Sequence, residues 1–314
     1  MRCAKFLSLL DKGKRRYHLL GTEKTGVVAG LDLEGRLFAV LNGEVLNRVN
    51  PEACLGTSTK SKYLNPGGDG LWPAPEGSCL GYEYATGAWR VPPGLSGARY
   101  WVVAATRNAV TIRAEIDLIN GSGRGVPTAF ERRISLAQRK NAVVLTVTEC
   151  IEYLGPNAVS RAECLLAPWT LCQFDCGLGC GVFFPKVNAK FVRDLYDPSD
   201  DQRALQGERW FTRTDCGKRY QISLPKSTEW LEYVDPRNGL RVRRTAAVPP
   251  AGMGYVDIAD QPTDRKPDGA GTRFSVYSDM GGFMEIEAAG GCPKRITPGL
   301  VLPLTVTTEY RRLA

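Results

Sequence analysis

Residues 109–119 read AVTIRAEIDLI, and apolar and polar side chains alternate along the whole stretch. The even positions from Val110 to Leu118 are apolar, whereas the odd positions from Thr111 to Asp117 are polar. Residues 142–154, AVVLTVTECIEYL, and residues 300–310, LVLPLTVTTEY, repeat this pattern. A period of two is typical of a strand with one buried face. These three stretches therefore predict antiparallel sheet.

Shorter runs on either side predict further strands at residues 27–33, 36–41, 100–105, 181–184, 220–224, 230–234, 240–244, 272–278 and 283–288. Asn238-Gly239 is a strong hairpin signal between two of them. Only two short segments, Val159–Leu166 and Asp200–Glu208, have helical character. The 34 glycines and 20 prolines favour many turns. We predict an all-β protein with two large, packed antiparallel sheets, folded as one domain over residues 1–314.

Composition excludes several classes of function. The chain has one histidine, His18, which lies beside the basic residues Lys14, Arg15 and Arg16. A histidine-dependent hydrolase or a multi-histidine metal site is therefore not expected. The net charge of +8 is spread along the chain, which argues against a nucleic-acid partner. No apolar run approaches the roughly 20 residues that span a membrane, so no membrane partner is expected either.

The cysteines and the start of the chain bear on location and cofactors. Several of the ten cysteines lie in apolar strand-like segments, which favours free buried thiols, a reducing compartment and a cytoplasmic location. The early apolar patch, Ala4–Leu10, is followed by charged residues rather than by a cleavage site, so a signal peptide is poorly supported. Cys172, Cys176 and Cys180 lack a zinc-like spacing, and no phosphate-binding glycine motif precedes a helix. We expect neither a metal nor a cofactor.

Three motifs carry candidate ligand-binding residues. In the first, GGDGLWPAPEG at residues 67–77, Trp72 stands between Asp69 and Glu76. An exposed indole beside carboxylates suits a sugar, because the ring packs on C–H groups and the acids accept from hydroxyls. The alternative is that Trp72 belongs to the core.

The second motif is LAPWTLCQF at residues 166–174, in which Trp169 and Gln173 line a pocket or pack in the core. The third is DMGGFMEIEA at residues 279–288. In a strand, Glu285 and Glu287 of this motif share one face. They are either solvated, or they line a concave sheet as a general base and a hydroxyl acceptor.

Together these motifs resemble the galactose mutarotase-like superfamily, a β-supersandwich fold, and more closely an uncharacterised bacterial branch of it. Residues 67–77, 110–130, 166–174 and 267–291 carry the resemblance, which spans about residues 25–313. In true mutarotases a glutamate on the penultimate strand takes the proton of the anomeric hydroxyl, and Glu287 stands at the matching place. A mid-chain histidine donates a proton to the ring oxygen, but Trp169-Thr170 stands at that place here.

Three functions remain open from the sequence. The first is a carbohydrate-binding protein without standard aldose 1-epimerase chemistry, whose groove is lined by Asp69, Trp72, Glu76, Trp169, Gln173, Glu285 and Glu287. The second is an active epimerase or lyase on a sugar or sugar acid, with Glu287 as base and Lys218, Lys226 or Tyr233 as the acid. The third is a structural or assembly protein that binds no small molecule.

Overall fold

Strands dominate the computed structural model, which describes residues 1–59, 61–81, 91–267 and 270–313. In chain order the strands are β1 (Tyr17–Gly21), β2 (Thr25–Gly30), β3 (Arg36–Leu41), β4 (Glu44–Val45), β5 (Asp69–Ala74), β6 (Trp101–Ala105), β7 (Ala109–Ile119), β8 (Gly125–Arg139), β9 (Ala142–Tyr153), β10 (Val159–Ser160), β11 (Ala167–Asp175), β12 (Gly181–Pro185), β13 (Arg193–Asp194), β14 (Arg203–Gln206), β15 (Arg209–Arg213), β16 (Tyr220–Leu224), β17 (Trp230–Asp235), β18 (Leu240–Ala246), β19 (Met253–Tyr255), β20 (Phe274–Asp279), β21 (Phe283–Ala289), β22 (Gly291–Pro293), β23 (Arg295–Ile296) and β24 (Val301–Arg312).

The helices are short: α1 (Cys3–Lys12), α2 (Pro51–Leu55), α3 (Pro93–Ser96) and two 3₁₀ turns, Ala189–Phe191 and Asp200–Gln202. Of the described residues, none belongs to a helix long and apolar enough to cross a bilayer.

Two large antiparallel sheets contain most of the strands. Sheet 1 has the order β1-β2-β3-β5-β11-β21-β20-β16-β13, with β4 beside β3, and sheet 2 has the order β14-β15-β12-β17-β18-β24-β9-β8-β7-β6. The predicted alternation is confirmed: Val110, Ile112, Ala114, Ile116 and Leu118 of β7 are buried in the core cluster, and the residues between them are half-buried or exposed. The predicted all-β fold of two packed antiparallel sheets is therefore confirmed.

Sheet 1 has a second buried face, which points away from sheet 2. Helix α1 covers one end of it, where Phe6 and Leu10 pack with Phe38 and Val40 of β3. Leu37 and Ala39, the neighbouring residues of β3, belong to the core between the sheets. This outer face of sheet 1 continues past α1 onto β5, β11, β21, β20 and β16, where it becomes polar.

Both predicted helical segments were wrong. At residues 159–166 the chain forms strand β10 and then one turn, in which Glu163 accepts bonds from the backbone and hydroxyl of Ser160. Strand β10 pairs with β23, which commits the start of this segment to extended backbone. At residues 200–208 a single 3₁₀ turn leads directly into β14, which pairs with β15. Helix α1, the longest in the described part of the chain, was not predicted.

Cys176 and Cys216 form a disulfide, which departs from the prediction of free thiols. The other eight cysteines are free, and seven of these are buried. Cys172 packs between the sheets, where its sulfur lies 3.4 Å from the hydroxyl oxygen of Tyr310. The cysteines of the 172–180 motif are therefore divided between a disulfide and the core.

Candidate functional site

Glu285 and Glu287 lie side by side on the outer face of β21, near the middle of sheet 1. The period of the strand places both on one face, as the sequence predicts. Glu287 is 1% exposed and Glu285 is 6% exposed. They are not solvated surface acids, because Trp169, Gln173 and Gln221 on the same face contact their carboxyl groups.

Two fixed donors hold the carboxyl group of Glu287. The indole Nε1 of Trp169, on the neighbouring strand β11, donates to Oε2 over 3.0 Å. The amide Nε2 of Gln221, on β16, lies 3.1 Å from each carboxyl oxygen. Because an indole donates and never accepts, Trp169 fixes this group without offering a second titratable site.

Gln173 follows Trp169 on the same face of β11 and donates its amide to Glu285. The strand register sets Gln173 opposite Glu285, and Leu171 opposite Glu287. Of the predicted site residues, the structure therefore brings together Trp169, Gln173, Glu285 and Glu287.

Burial raises the pKa of Glu287 well above its usual range, and the neighbouring Glu285 raises it further. Burial also raises the pKa of Glu285, but the positive charge of Arg36 opposes that shift. Two buried carboxyl groups in contact cannot both ionise cheaply. Glu287 is therefore the member of the pair that keeps its proton over the wider pH range.

Trp72 joins the same layer from β5, but it is 4% exposed, as the core alternative expects. Its ring meets that of Trp169 edge to face, with 5.9 Å between centroids. Its Nε1 lies 3.4 Å from Oε2 of Glu34. Trp72 therefore links the carboxyl pair to a second polar cluster, centred on Glu34.

Sequence reasoning missed the cluster of Glu34, Arg36 and Tyr63. Oε2 of Glu34 accepts from Arg36 Nη2 at 3.0 Å and from the Tyr63 hydroxyl at 3.1 Å. Glu34 has φ +56°, a left-handed backbone that is costly for a residue with a side chain. The only sequence signal was the Glu34-Gly35 turn, which predicts the backbone and not the role of the carboxylate.

Arg36 is fully buried and packs against Gly70, which lies on the same face of β5 as Trp72 and two residues before it. A Cβ atom at position 70 would lie 2.5 Å from Nη1 of Arg36, so glycine makes room for the guanidinium. This Nη1 has no hydrogen-bond partner among the described residues, and the same is true of Oε1 of Gln173 and Oε1 of Gln221. Buried polar atoms are rarely left unpaired. Three of them therefore surround the carboxyl pair with unused hydrogen-bonding capacity.

The structure places Asp69 on the opposite face, between the sheets. Its carboxylate bonds to Arg244 Nη1 of sheet 2 at 2.8 Å and lies 3.9 Å from Arg132 Nη2. Arg132 in turn pairs with Glu149 at 2.6 Å. Asp69 and Trp72 therefore lie on opposite faces of β5. The ion pairs of Asp69 link the two sheets.

Glu76 lies beyond the end of β5 and is 6% exposed. Its charge adds to the burial that raises the pKa of Tyr196. The Tyr196 ring contacts Tyr277, which pairs with Glu285 in the strand register. Glu76 is therefore on the side of sheet 1 that holds the carboxyl pair, one layer removed from it.

Neither the single histidine nor the proposed substitutes lie beside Glu287. His18 is on the edge strand β1, separated from β11 by β2, β3 and β5. Lys218 bonds to Asp201 at 3.0 Å, and Tyr233 of sheet 2 donates to the carbonyl of Asp175. Lys226 is exposed beyond the end of β16.

The whole chain is similar in fold to galactose mutarotase-like structures. A galactose mutarotase-like protein from Lactobacillus casei ATCC 334 superposes with a TM-score of 0.58 at 11% identity, over 94% of this chain and 100% of the other. The Slr1438 protein from Synechocystis sp. PCC 6803 gives 0.58 at 11% identity, over 95% and 96% of the two chains. A galactose mutarotase-like protein from Clostridium acetobutylicum gives 0.56 at 10% identity, over 95% and 98%.

These likenesses establish the fold: the chain has the galactose mutarotase-like β-supersandwich that its motifs suggested. The chain matches no protein-family model and no curated protein sequence.

Proposed function

We propose that the protein binds a carbohydrate on the outer face of sheet 1 and lacks standard aldose 1-epimerase chemistry. The observation that carries this proposal is the bond from Trp169 to Glu287. In the mutarotase reaction that the resemblance implies, a histidine supplies a proton and the glutamate removes one. Here the residue in the place of the histidine is an indole bound to the glutamate itself.

The residues around Glu287 support binding in preference to proton transfer. A general base must be ionised and within reach of the substrate, whereas this carboxyl group is buried, has a raised pKa and is occupied by two donors. Donors and acceptors that line a cavity on the same face are found in Glu34 and Tyr63. Such a mixture, next to two indole rings, suits a polyhydroxylated ligand.

An active sugar or sugar-acid epimerase or lyase is the second candidate, and one observation favours it. A carboxyl group that stays protonated near neutral pH can serve as a general acid, and Glu287 has a pKa raised in that direction. Glu285 would then be the neighbouring base. A structural or assembly role would require that no sugar binds at all.

Calorimetric titration with a panel of neutral and acidic mono- and oligosaccharides tests the proposal. We expect at least one sugar to bind wild type, and Thr57→Val, in the wall of the cavity that Glu34 lines, to weaken that binding. Thr245→Val, at an exposed position of β18 on sheet 2, is the matched control and keeps wild-type affinity. No binding by any sugar would favour the structural role. An accelerated reaction that Glu287→Gln abolishes would favour the enzyme.

We extend the proposal to the organisation and location of the chain. Residues 1–314 are proposed to fold as one unit, since strands from both ends of the chain contribute to the two sheets. Seven buried free thiols favour the proposed cytoplasmic location, whereas the Cys176–Cys216 disulfide opposes it. A single cooperative unfolding transition is the expected behaviour of such a unit.

A further inference from the structure

A cavity of about 520 Å³ opens beside the Glu34 cluster, on the same side of sheet 1 as the carboxyl pair. The end of α2 and the loop after it form one wall, and residues 91–99 with the turn at Lys14–Arg15 form the others. Ligand pockets typically have volumes of about 300–1,000 Å³. The cavity is therefore large enough for a monosaccharide carrying a charged substituent.

Glu34 is a buried carboxylate that lines this cavity. The four side-chain bonds that it accepts from described residues, two from Arg36 and one each from Tyr63 and Trp72, all end on Oε2. Its second oxygen therefore has capacity for a ligand hydroxyl. The left-handed backbone at Glu34 and the buried Arg36 behind it fix the carboxylate in place.

The rim of the cavity carries positive charge without matching acids. Asp32 is already bound by Arg16 at 2.6 Å and by Arg99 at 3.4 Å. Arg15 donates only to the backbone carbonyls of Cys54 and Gly56. In the described part of the chain, neither Arg15 nor the exposed Lys14 has an acidic partner.

Fixed acceptors at depth and unpaired cations at the rim select a ligand with hydroxyls at one end and an anion at the other. We propose that this cavity is the sugar site and that its ligand is an anionic carbohydrate, bearing a carboxylate or a phosphate. The proposal rests on the proposed carbohydrate-binding function and names both the cavity and the ligand class. Glu34 accepts from the sugar hydroxyls, with Thr57 and Ser58 in the wall beside it. Lys14 and Arg15 bind the anion.

The experiment compares two series of sugars, and the members of each series differ only at the sixth carbon. These are D-glucose, D-glucuronate and D-glucose 6-phosphate, and D-galactose, D-galacturonate and D-galactose 6-phosphate. Binding to the full chain is measured by isothermal titration calorimetry at low and at high sodium chloride. We expect the acidic members of at least one series to bind more tightly than the neutral sugar, and salt to reduce that advantage. Whether the uronate or the phosphate binds identifies the source of the anion.

Substitutions at the rim locate the site. Lys14→Gln should weaken binding of the acidic sugar about two- to fivefold and leave the neutral sugar unchanged. Lys12→Gln, an exposed lysine outside the cavity, is the control and should have no effect. Glu34→Gln should weaken acidic and neutral sugars alike; a melting curve first establishes that the variant folds, and Lys14→Gln tests the site independently if it does not.

Each outcome decides the matter. Equal affinity for neutral and acidic sugars, or no effect of Lys14→Gln, overturns the anionic ligand and leaves the carbohydrate-binding function standing. Failure of all six sugars to bind overturns the inference, and a failure across the broader sugar panel overturns the proposed function as well.

Discussion

The indole Nε1 of Trp169 lies 3.0 Å from Oε2 of Glu287, and 118 residues of sequence separate the two. The carboxyl group that the resemblance assigns as a mutarotase base is thus held by a group that neither takes nor releases a proton. Glu287 is also buried and lies against Glu285. These surroundings suit a carboxyl group that stays protonated and hydrogen-bonded, which the strand pattern alone does not reveal.

The stability of the protein should depend on pH through Glu287. Its pKa is raised in the folded state, so its stabilising contribution is complete below the unfolded pKa near 4.5 and is lost as pH rises toward the folded pKa. Within that window one proton changes the free energy of unfolding by about 1.4 kcal/mol per pH unit. Glu287→Gln mimics the protonated acid. It should remove the contribution of Glu287 to the pH dependence of the free energy of unfolding, as measured by urea unfolding from pH 5 to 9.

Glu229→Gln is the control for this experiment, because Glu229 is exposed. Its pH profile should follow that of wild type. A Glu287→Gln profile parallel to wild type would show that Glu287 does not titrate as described.

Asp69→Asn should destabilise the protein strongly. The substitution leaves Arg244 and Arg132 buried with less compensating charge, and breaking a buried ion pair costs about 3–5 kcal/mol. Asp117→Asn, at an exposed position of β7, should change the free energy of unfolding by less than about 0.5 kcal/mol. A stable Asp69→Asn variant that has lost sugar binding would instead make Asp69 a ligand-binding residue.

Gly70→Ala tests the close approach of Arg36. The added methyl group would meet the guanidinium, which Glu34 holds and the core encloses, so we expect a loss of about 1–3 kcal/mol in urea unfolding. Gly125→Ala places a methyl group where no atom lies within 4 Å and should be nearly neutral. Equal stability of the two variants would mean that Arg36 moves away freely.

The disulfide should stabilise the folded state. It closes a loop with a sequence separation of 40, for which chain entropy predicts about 4 kcal/mol. Reducing agent should lower the melting temperature of wild type and leave that of Cys216→Ala unchanged. Cys79→Ala, which removes a half-buried free thiol, should keep the response of wild type.

The sequence predicted the strands well because half-buried strands carry a period of two, as in β7 and β24. It did not predict α1, although the buried residues Phe6, Leu7 and Leu10 have helical spacing. The two helical segments were wrong because the pairing of β10 with β23 and of β14 with β15 overrides a weak local preference.

The candidate site was predictable only in part. Trp169, Gln173, Glu285 and Glu287 follow from strand alternation once β11 and β21 are known to be neighbours. Asp69 and Trp72 could not be assigned to faces, because both faces of β5 are buried. Glu34 escaped notice because its partners Tyr63 and Trp72 lie far along the chain and only the fold brings them to it.

The most direct test of the central claim is the rate of anomer exchange, measured by two-dimensional exchange NMR, for a sugar that the protein binds. We expect saturating amounts of wild-type protein to leave the exchange rate at its spontaneous value, and Glu287→Gln to behave identically. Acceleration by wild type that disappears in Glu287→Gln would contradict this expectation, and would make Glu287 a catalytic residue of an epimerase.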